Sequence, residues 1–285
     1  MSNRRKFAFR FLLVPVICIL AYFTVIFMAA LPVAAFCGEN YLDYEGTIYF
    51  VEGIIGVVAI TLWILIRKNS SASIPPCSPG NPIDWTFGIL SALTMLGIAV
   101  IYFYLASHMS VSFVKKALED YDDMMEVRSV TRLDVYLNAI ATCFMIPVIE
   151  EVLFRGIILE GMLEFKRPVL AIVFSSMYFG GMHGQIVQIG YALLAGMILG
   201  AVYYLTRNLL MSILAHIIFN IFGSGIYLLF NVSEKADNVL TIIQIASILP
   251  FTVLFIYIVW KKKKDARVKN GETRGEGITA GEESV

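Results

Sequence analysis

Glu150 and Glu151 stand side by side in the run from Ala141 to Arg155, whose other residues are apolar apart from Thr142 and Arg155. A charge at the centre of a bilayer helix costs roughly 2.5–3.5 kcal/mol on insertion scales. Two carboxylates and a guanidinium within six residues of such a run call for a polar site inside the membrane. On a helix Glu151 and Arg155 are i,i+4 and share a face, so they can form a buried ion pair. Glu150 is turned about 100° away, which leaves it outside that pair and free for chemistry. Pro147 lacks a backbone N–H and tends to kink a helix, which opens room for water beside the acids.

The chain has three histidines. His108 falls at the end of an apolar span, next to water, and carries no further sign. His183 lies in Phe179-Gly180-Gly181-Met182-His183-Gly184-Gln185, with Phe179 one helical turn beneath it. His216 lies in Ala215-His216-Ile217-Ile218-Phe219-Asn220, with Asn220 one turn above it. Taken singly, a histidine in a membrane helix is as often a hydrogen-bonding strut between helices as a functional group. Two on different helices, with a buried acid on a third, favour one shared site. A carboxylate and an imidazole together can hold a water molecule and take its proton. A second imidazole and an amide N–H can donate to a developing oxyanion. Such a set can hydrolyse an amide with no serine or cysteine nucleophile. Ser224, in Gly223-Ser224-Gly225, has no histidine clearly placed for it, and Cys143, two turns before Glu150, is a small buried apolar residue on its simplest reading.

The elements that must bring these residues together are membrane helices. Of 285 residues 58% are hydrophobic and 15% charged, and the mean hydropathy is +0.76. A soluble surface needs about 25–35% charged residues, so a soluble globular enzyme is excluded. The expected fold is all-α, a polytopic transmembrane bundle of about eight spans, at 11–36, 47–66, 83–106, 132–163, 168–183, 186–206, 209–230 and 239–260. All but 168–183 reach the roughly 20 residues that cross a bilayer. The first is too long for a signal-peptide apolar core of roughly 7–15 residues. Arg4, Arg5, Lys6 and Arg10, then Arg67 and Lys68, Lys166 and Arg167, Arg207, and Lys261 to Lys264 all fall on one side of this array. Glu39, Asp43, Glu45, Glu119, Asp120, Asp122, Asp123 and Glu126 fall on the other, diluted by Lys115, Lys116 and Arg128. The basic side is cytoplasmic, which puts both termini inside a multi-pass protein of a bacterial plasma membrane.

Residues 107–131 form an external connection with room for a short amphipathic helix. Residues 69–73, followed by Pro75, Pro76, Pro79 and Pro82, read as a cytoplasmic turn-rich loop. The tail 261–285 is charged and Gly-rich and is expected to be disordered, its lysines suited to anionic lipid heads. The organisation is thus N-terminal transmembrane helices over 1–110, a catalytic core over 132–260, and the tail. Cys18, Cys37, Cys77 and Cys143 show no metal or redox spacing. Zero net charge gives no sign of a nucleic-acid partner. Gly190, Gly196 and Gly200, with Ala192 and Ala195, make a smooth surface for close helix packing.

The patterns Glu150-Glu151-x-x-x-Arg155, Phe179-x-x-x-His183 and His216-x-x-x-Asn220, in this order and each in an apolar segment, resemble the three motifs of the CPBP family. This family groups CAAX-type prenyl endopeptidases with bacteriocin-processing and self-immunity membrane proteins, and is also called the abortive-infection family. The resemblance covers about residues 132–230. It implies a glutamate-dependent intramembrane endopeptidase acting on a peptide or membrane-protein substrate in the lipid bilayer. By position, Glu150 and His183 would activate water, His216 and Asn220 would form the oxyanion hole, and Glu151, Arg155 and Phe179 would support them. The expected cofactor is none. Zinc is the alternative and would take Glu150, His183 and His216, although H-E-x-x-H is absent and the set is minimal. Two rivals remain. A secondary transporter uses buried Glu, His and Arg, but it predicts polar residues spread through the bundle and repeat symmetry. Here spans 1–3 are nearly free of mid-span charge, with Glu52 and Asp84 near span ends. The other rival is a non-catalytic scaffold or immunity protein acting by binding alone.

Overall fold

The computed structural model describes residues 3–68, 77–125 and 131–279. The polar run 69–73 with Pro75 and Pro76, the charges Glu126 and Arg128, and the tail end 280–285 lie outside the described residues. The described residues form helices and no strand. In chain order these are α1 (Asn3–Asp43), α2 (Glu45–Ile66), α3 (Pro82–Ser107), α4 (Ser112–Met125), α5 (Arg132–Leu163), α6 (Pro168–Gly181), α7 (Ile186–Thr206), α8 (Leu209–Leu229), α9 (Glu234–Ala246) and α10 (Ile248–Thr279). Seven apolar helical stretches are long enough to cross a membrane, with α9 and the start of α10 joined at Ser247 into the seventh, Glu234–Val268. The fifth expected span, 168–183, is α6, which has 14 residues, about 21 Å at 1.5 Å per residue, short of a bilayer core of about 30 Å. The protein is an integral membrane helical bundle.

Helix α5 lies at the centre, packed against α1, α2, α6, α7 and α8, and its apolar window is the most buried of the seven. Helix α3 organises the other side, against α7, α8, α9 and α10. It meets α9 where Gly97 lies against the Gln244 backbone and Thr94 Oγ1 contacts Ser247 Oγ at 3.2 Å. The glycine stripe of α7 behaves as its spacing predicts. A Cβ on Gly196 would come within 3.0 Å of Phe179 and one on Gly200 within 3.1 Å of Ile172, so α6 and α7 pack at nearly backbone distance.

Prolines set local register. Pro15 and Pro147 each follow a π segment, Phe9–Leu13 and Ala141–Met145. In each, the residue before the proline donates its N–H five residues back, Val14 to Phe9 O and Ile146 to Ala141 O. The proline N, with no proton, then leaves the next carbonyl without a helical donor. Two further π segments, Val152–Leu159 and Ile221–Gly225, flank the site residues of α5 and α8.

Helix α4 is the amphipathic helix expected in 107–131. It is tied to the α6–α7 junction by Gln185 Nε2 donating to Ala117 O at 3.0 Å and by Tyr121 Oη against Tyr191 Oη at 3.3 Å. Helix α10 continues past the apolar span into the charged tail, as far as Thr279. Its first charged turns, Lys261 to Arg267, hold strong helix formers and no Gly or Pro. They extend a helix already nucleated in the membrane, so only propagation is needed.

Candidate active site

Helices α1, α2, α5 and α8 and the end of α6 supply the acid–base residues. Helix α5 carries Glu150, Glu151 and Arg155, all at most 5% exposed. The expected i,i+4 pair forms: Arg155 Nη1 lies 2.8 Å from Glu151 Oε1. This is a charge contact without hydrogen-bond alignment, since Nη1 has no hydrogen-bond partner. Arg155 Nη2 donates to Gly196 O on α7 at 3.2 Å, and the guanidinium lies 4.5 Å from the centre of the Phe179 ring. That ring also stands edge-on to His183 and His216, at 5.2 and 5.8 Å. Phe179, read as support from the sequence, is the wall the three cationic or imidazole groups share.

His216, on α8, bridges the two acids. Its Nδ1 lies 2.9 Å from Glu151 Oε1, and its Nε2 lies 3.7 Å from Glu150 Oε2. Asn220, one turn on, donates Nδ2–H to Thr142 O at 2.8 Å. The cause is Pro147. In the π register of α5 the Thr142 carbonyl would accept from residue 147, whose nitrogen has no proton, and the Asn220 amide fills the vacancy. Asn220 keeps a second amide proton for another acceptor.

His183 is placed differently. It follows the end of α6, before Gly184 at φ +74°, and its Nδ1 contacts Phe179 O at 2.8 Å. Among the described residues its Nε2 has no hydrogen-bond partner, and it makes no ion pair with Glu150. The structure thus brings Glu150, Glu151, Arg155, Phe179, His216 and Asn220 into one connected set. His183 joins through Phe179, and the imidazole nearest Glu150 is that of His216. Helical periodicity cannot orient His183, because it stands one residue past the last helical turn.

Two residues of the site escape the sequence reading. Tyr22, on α1, donates its hydroxyl to Glu150 Oε1 at 3.4 Å. Glu52, on α2, is an electrostatic neighbour of both Tyr22 and Glu150. It is 2% exposed and its Oε1 has no partner. It lies near the start of its span, as read, but is buried because α2 is pressed onto α5: a Cβ on Gly53 would come within 2.9 Å of Met145, and one on Gly56 would overlap Ile149. Glu52 and Gly56 are i,i+4, so a glycine contact face beside an acid is the signal that marks it.

Among the described residues no group of three or more His, Cys, Asp or Glu side chains is arranged to hold a metal ion. Glu150, His183 and His216, the set zinc would need, are not gathered as ligands.

No curated protein and no solved structure gives a significant match to this chain. Residues 132–222, from the start of α5 to the π segment of α8, match the family model described as Rce1-like, type II CAAX prenyl endopeptidase, and this matched segment carries the buried acids and both site histidines.

Proposed function

We propose that the protein is an intramembrane endopeptidase in which Glu150 is the base that takes a proton from water as it attacks a peptide carbonyl. The observation that carries this reading is the buried bridge Glu150···His216···Glu151 with Arg155 behind it. One acid is held by charge at 2.8–2.9 Å, while the other has a 3.7 Å gap to Nε2. A water molecule at ordinary hydrogen-bond distance, about 2.8 Å, from both Glu150 Oε2 and His216 Nε2 fits beside such a gap.

The roles follow from what each atom has left to give. Glu150 Oε2 accepts the proton of the water. His183, with Nε2 unengaged, completes the water site once substrate closes it, since catalytic hydrogen bonds tighten only in the complex. The remaining amide proton of Asn220 and the His216 ring serve the oxyanion, a function worth about 10²–10³ in rate per donor. Glu151 and Arg155 hold His216 from behind. The 3.7 Å approach favours a second assignment, in which His216 rather than His183 shares the water with Glu150. The substrate is a peptide or a membrane-protein segment reaching this depth from a bacterial plasma membrane with both termini of the enzyme in the cytoplasm. The one-sided basic clusters of the sequence support that orientation.

Comparing peptides released by membranes containing wild-type and Glu150→Gln protein at equal insertion tests the reading. Products present only with wild type are expected. Identical products, together with an unchanged cellular phenotype, leave a binding scaffold and end the proposal. Double variants separate the two assignments. The imidazole that shares the water adds little further loss in the Glu150→Gln background, because groups acting as a unit are not additive.

A further inference from the structure

The hydroxyl of Tyr22 donates to Glu150 Oε1 at 3.4 Å, and the buried Glu52 is an electrostatic neighbour of both. Neither Tyr22 nor Glu52 lies within the matched segment 132–222, yet α1 and α2 bring both to the base. A phenol has one proton to donate, and here it goes to Glu150 Oε1. Glu52 is 2% exposed, makes no ion pair among the described residues, and has an unpartnered Oε1. The basic groups of the site are committed elsewhere: Arg155 to Glu151 and Gly196, and His216 between Glu150 and Glu151. A second unpaired anion beside Glu150 would repel it across a medium of low dielectric, and a buried charge without a partner is costly. As the neutral acid, Glu52 instead has a proton to give, and the Tyr22 oxygen has a lone pair to receive it.

We propose that Tyr22 and Glu52 are positioning residues for Glu150, linked as a chain in which neutral Glu52 donates to the Tyr22 oxygen and Tyr22 donates to Glu150 Oε1. The chain fixes one carboxylate oxygen of Glu150 so that Oε2 faces His216 and the water. Successive donors in one direction strengthen each other, and the chain leaves Glu150 the only anion on its side of His216. Its catalytic part rests on Glu150 being the base.

The test uses the purified full-length protein in liposomes, assayed on a peptide whose release requires Glu150. Tyr22→Phe and Glu52→Leu are expected to lower kcat about tenfold or more with KM within about twofold, as misplacement of a reacting group does. Glu52→Gln, whose amide still donates, stays near wild type. The Tyr22→Phe/Glu52→Leu double variant falls no further than Tyr22→Phe alone, because the chain is already broken. Unchanged kcat in Tyr22→Phe, or a loss in Glu52→Gln as deep as in Glu52→Leu, overturns the proposal. Infrared difference spectra read the chain without turnover. The expected result is a neutral-carboxyl band in wild type that is lost in Glu52→Gln and shifted in Tyr22→Phe. Absence of that band overturns the chain even if Glu150 is essential for cleavage. Its presence without any Glu150-dependent cleavage keeps the chain and removes the endopeptidase reading.

Discussion

On one face of the His216 ring Glu151 is held at 2.8 Å by Arg155 and at 2.9 Å by Nδ1; on the other, Glu150 has polar contacts at 3.4 and 3.7 Å. The two acids are adjacent in sequence and equally apolar in their flanks, yet their surroundings are opposite. The Glu151 side is closed by a guanidinium, a backbone carbonyl and an aromatic wall. The Glu150 side is loose, bounded by a phenol, a neutral-acid candidate and an imidazole edge. A helix turns 100° per residue, so one step along α5 separates a structural charge from a reactive one. The closed side fixes the imidazole, and the open side leaves room for a reactant.

Breaking the closed side should have the largest effect. Arg155→Met leaves Glu151, fully buried, with no fixed counter-charge. Removing one partner of a buried pair costs about 3–5 kcal/mol, so a large drop in thermal stability in detergent and poor yield are expected. Arg155→Lys keeps the charge but loses the second donor to Gly196 O, and should fall between. If Arg155→Met melts with wild type, the Glu151 side is not the structural half and the contrast fails.

The closed half was legible because its signal is local. Glu151 and Arg155 sit one turn apart in an apolar run, and no fold knowledge is needed to pair them. Phe179, His216 and Asn220 were legible as residue types at helical spacing, although the capping of Thr142 O by Asn220 depends on the π register that Pro147 imposes. The open half was hidden for a physical reason. Tyr22 is an ordinary aromatic in an apolar helix, and Glu52 sits only a turn or two into its span. Both matter through the approach of α1 and α2 to α5, a property of packing rather than periodicity. Likewise the nearer imidazole could not be chosen from sequence, because His183 stands beyond a helix end and His216 within one.

That approach of α2 can be loosened without touching either acid. Asp134 of α5 caps the first turn of α2, its carboxylate accepting from Gly46 N at 3.1 Å and Thr47 N at 2.7 Å. A Cβ on Gly46 would collide with the Asp134 backbone oxygen, and a backbone atom cannot swing aside. Gly46→Ala should destabilise the protein by about 1–3 kcal/mol, the usual range for overpacking. It should also lower kcat through Glu52 and Tyr22 while leaving the Arg155–Glu151 pair intact. A variant that loses stability but keeps wild-type kcat would show that the open half does not depend on where α2 sits.

The smallest effect belongs to the ion pair at the end of α1. Arg10 Nη2 lies 2.8 Å from Glu164 Oε1, with 31% and 57% of the two side chains exposed. Exposed pairs of this kind contribute about 0–1 kcal/mol. What holds α1, and so Tyr22, against α5 and α6 is aromatic packing. Phe11 is 1% exposed, stacks on Phe7 at 4.2 Å, and meets Phe165 and Phe174 edge-on at 5.7 and 5.6 Å. Its carbonyl also accepts from Tyr178 Oη at 2.9 Å. Glu164→Gln should therefore change the melting temperature by no more than a few degrees and leave kcat at the wild-type value, whereas Phe11→Ala, at about 3–5 kcal/mol for a buried aromatic, should release α1. A Glu164→Gln variant as impaired as Phe11→Ala would mean that charge at the membrane edge, and not the packed rings, sets the position of the phenol beside Glu150.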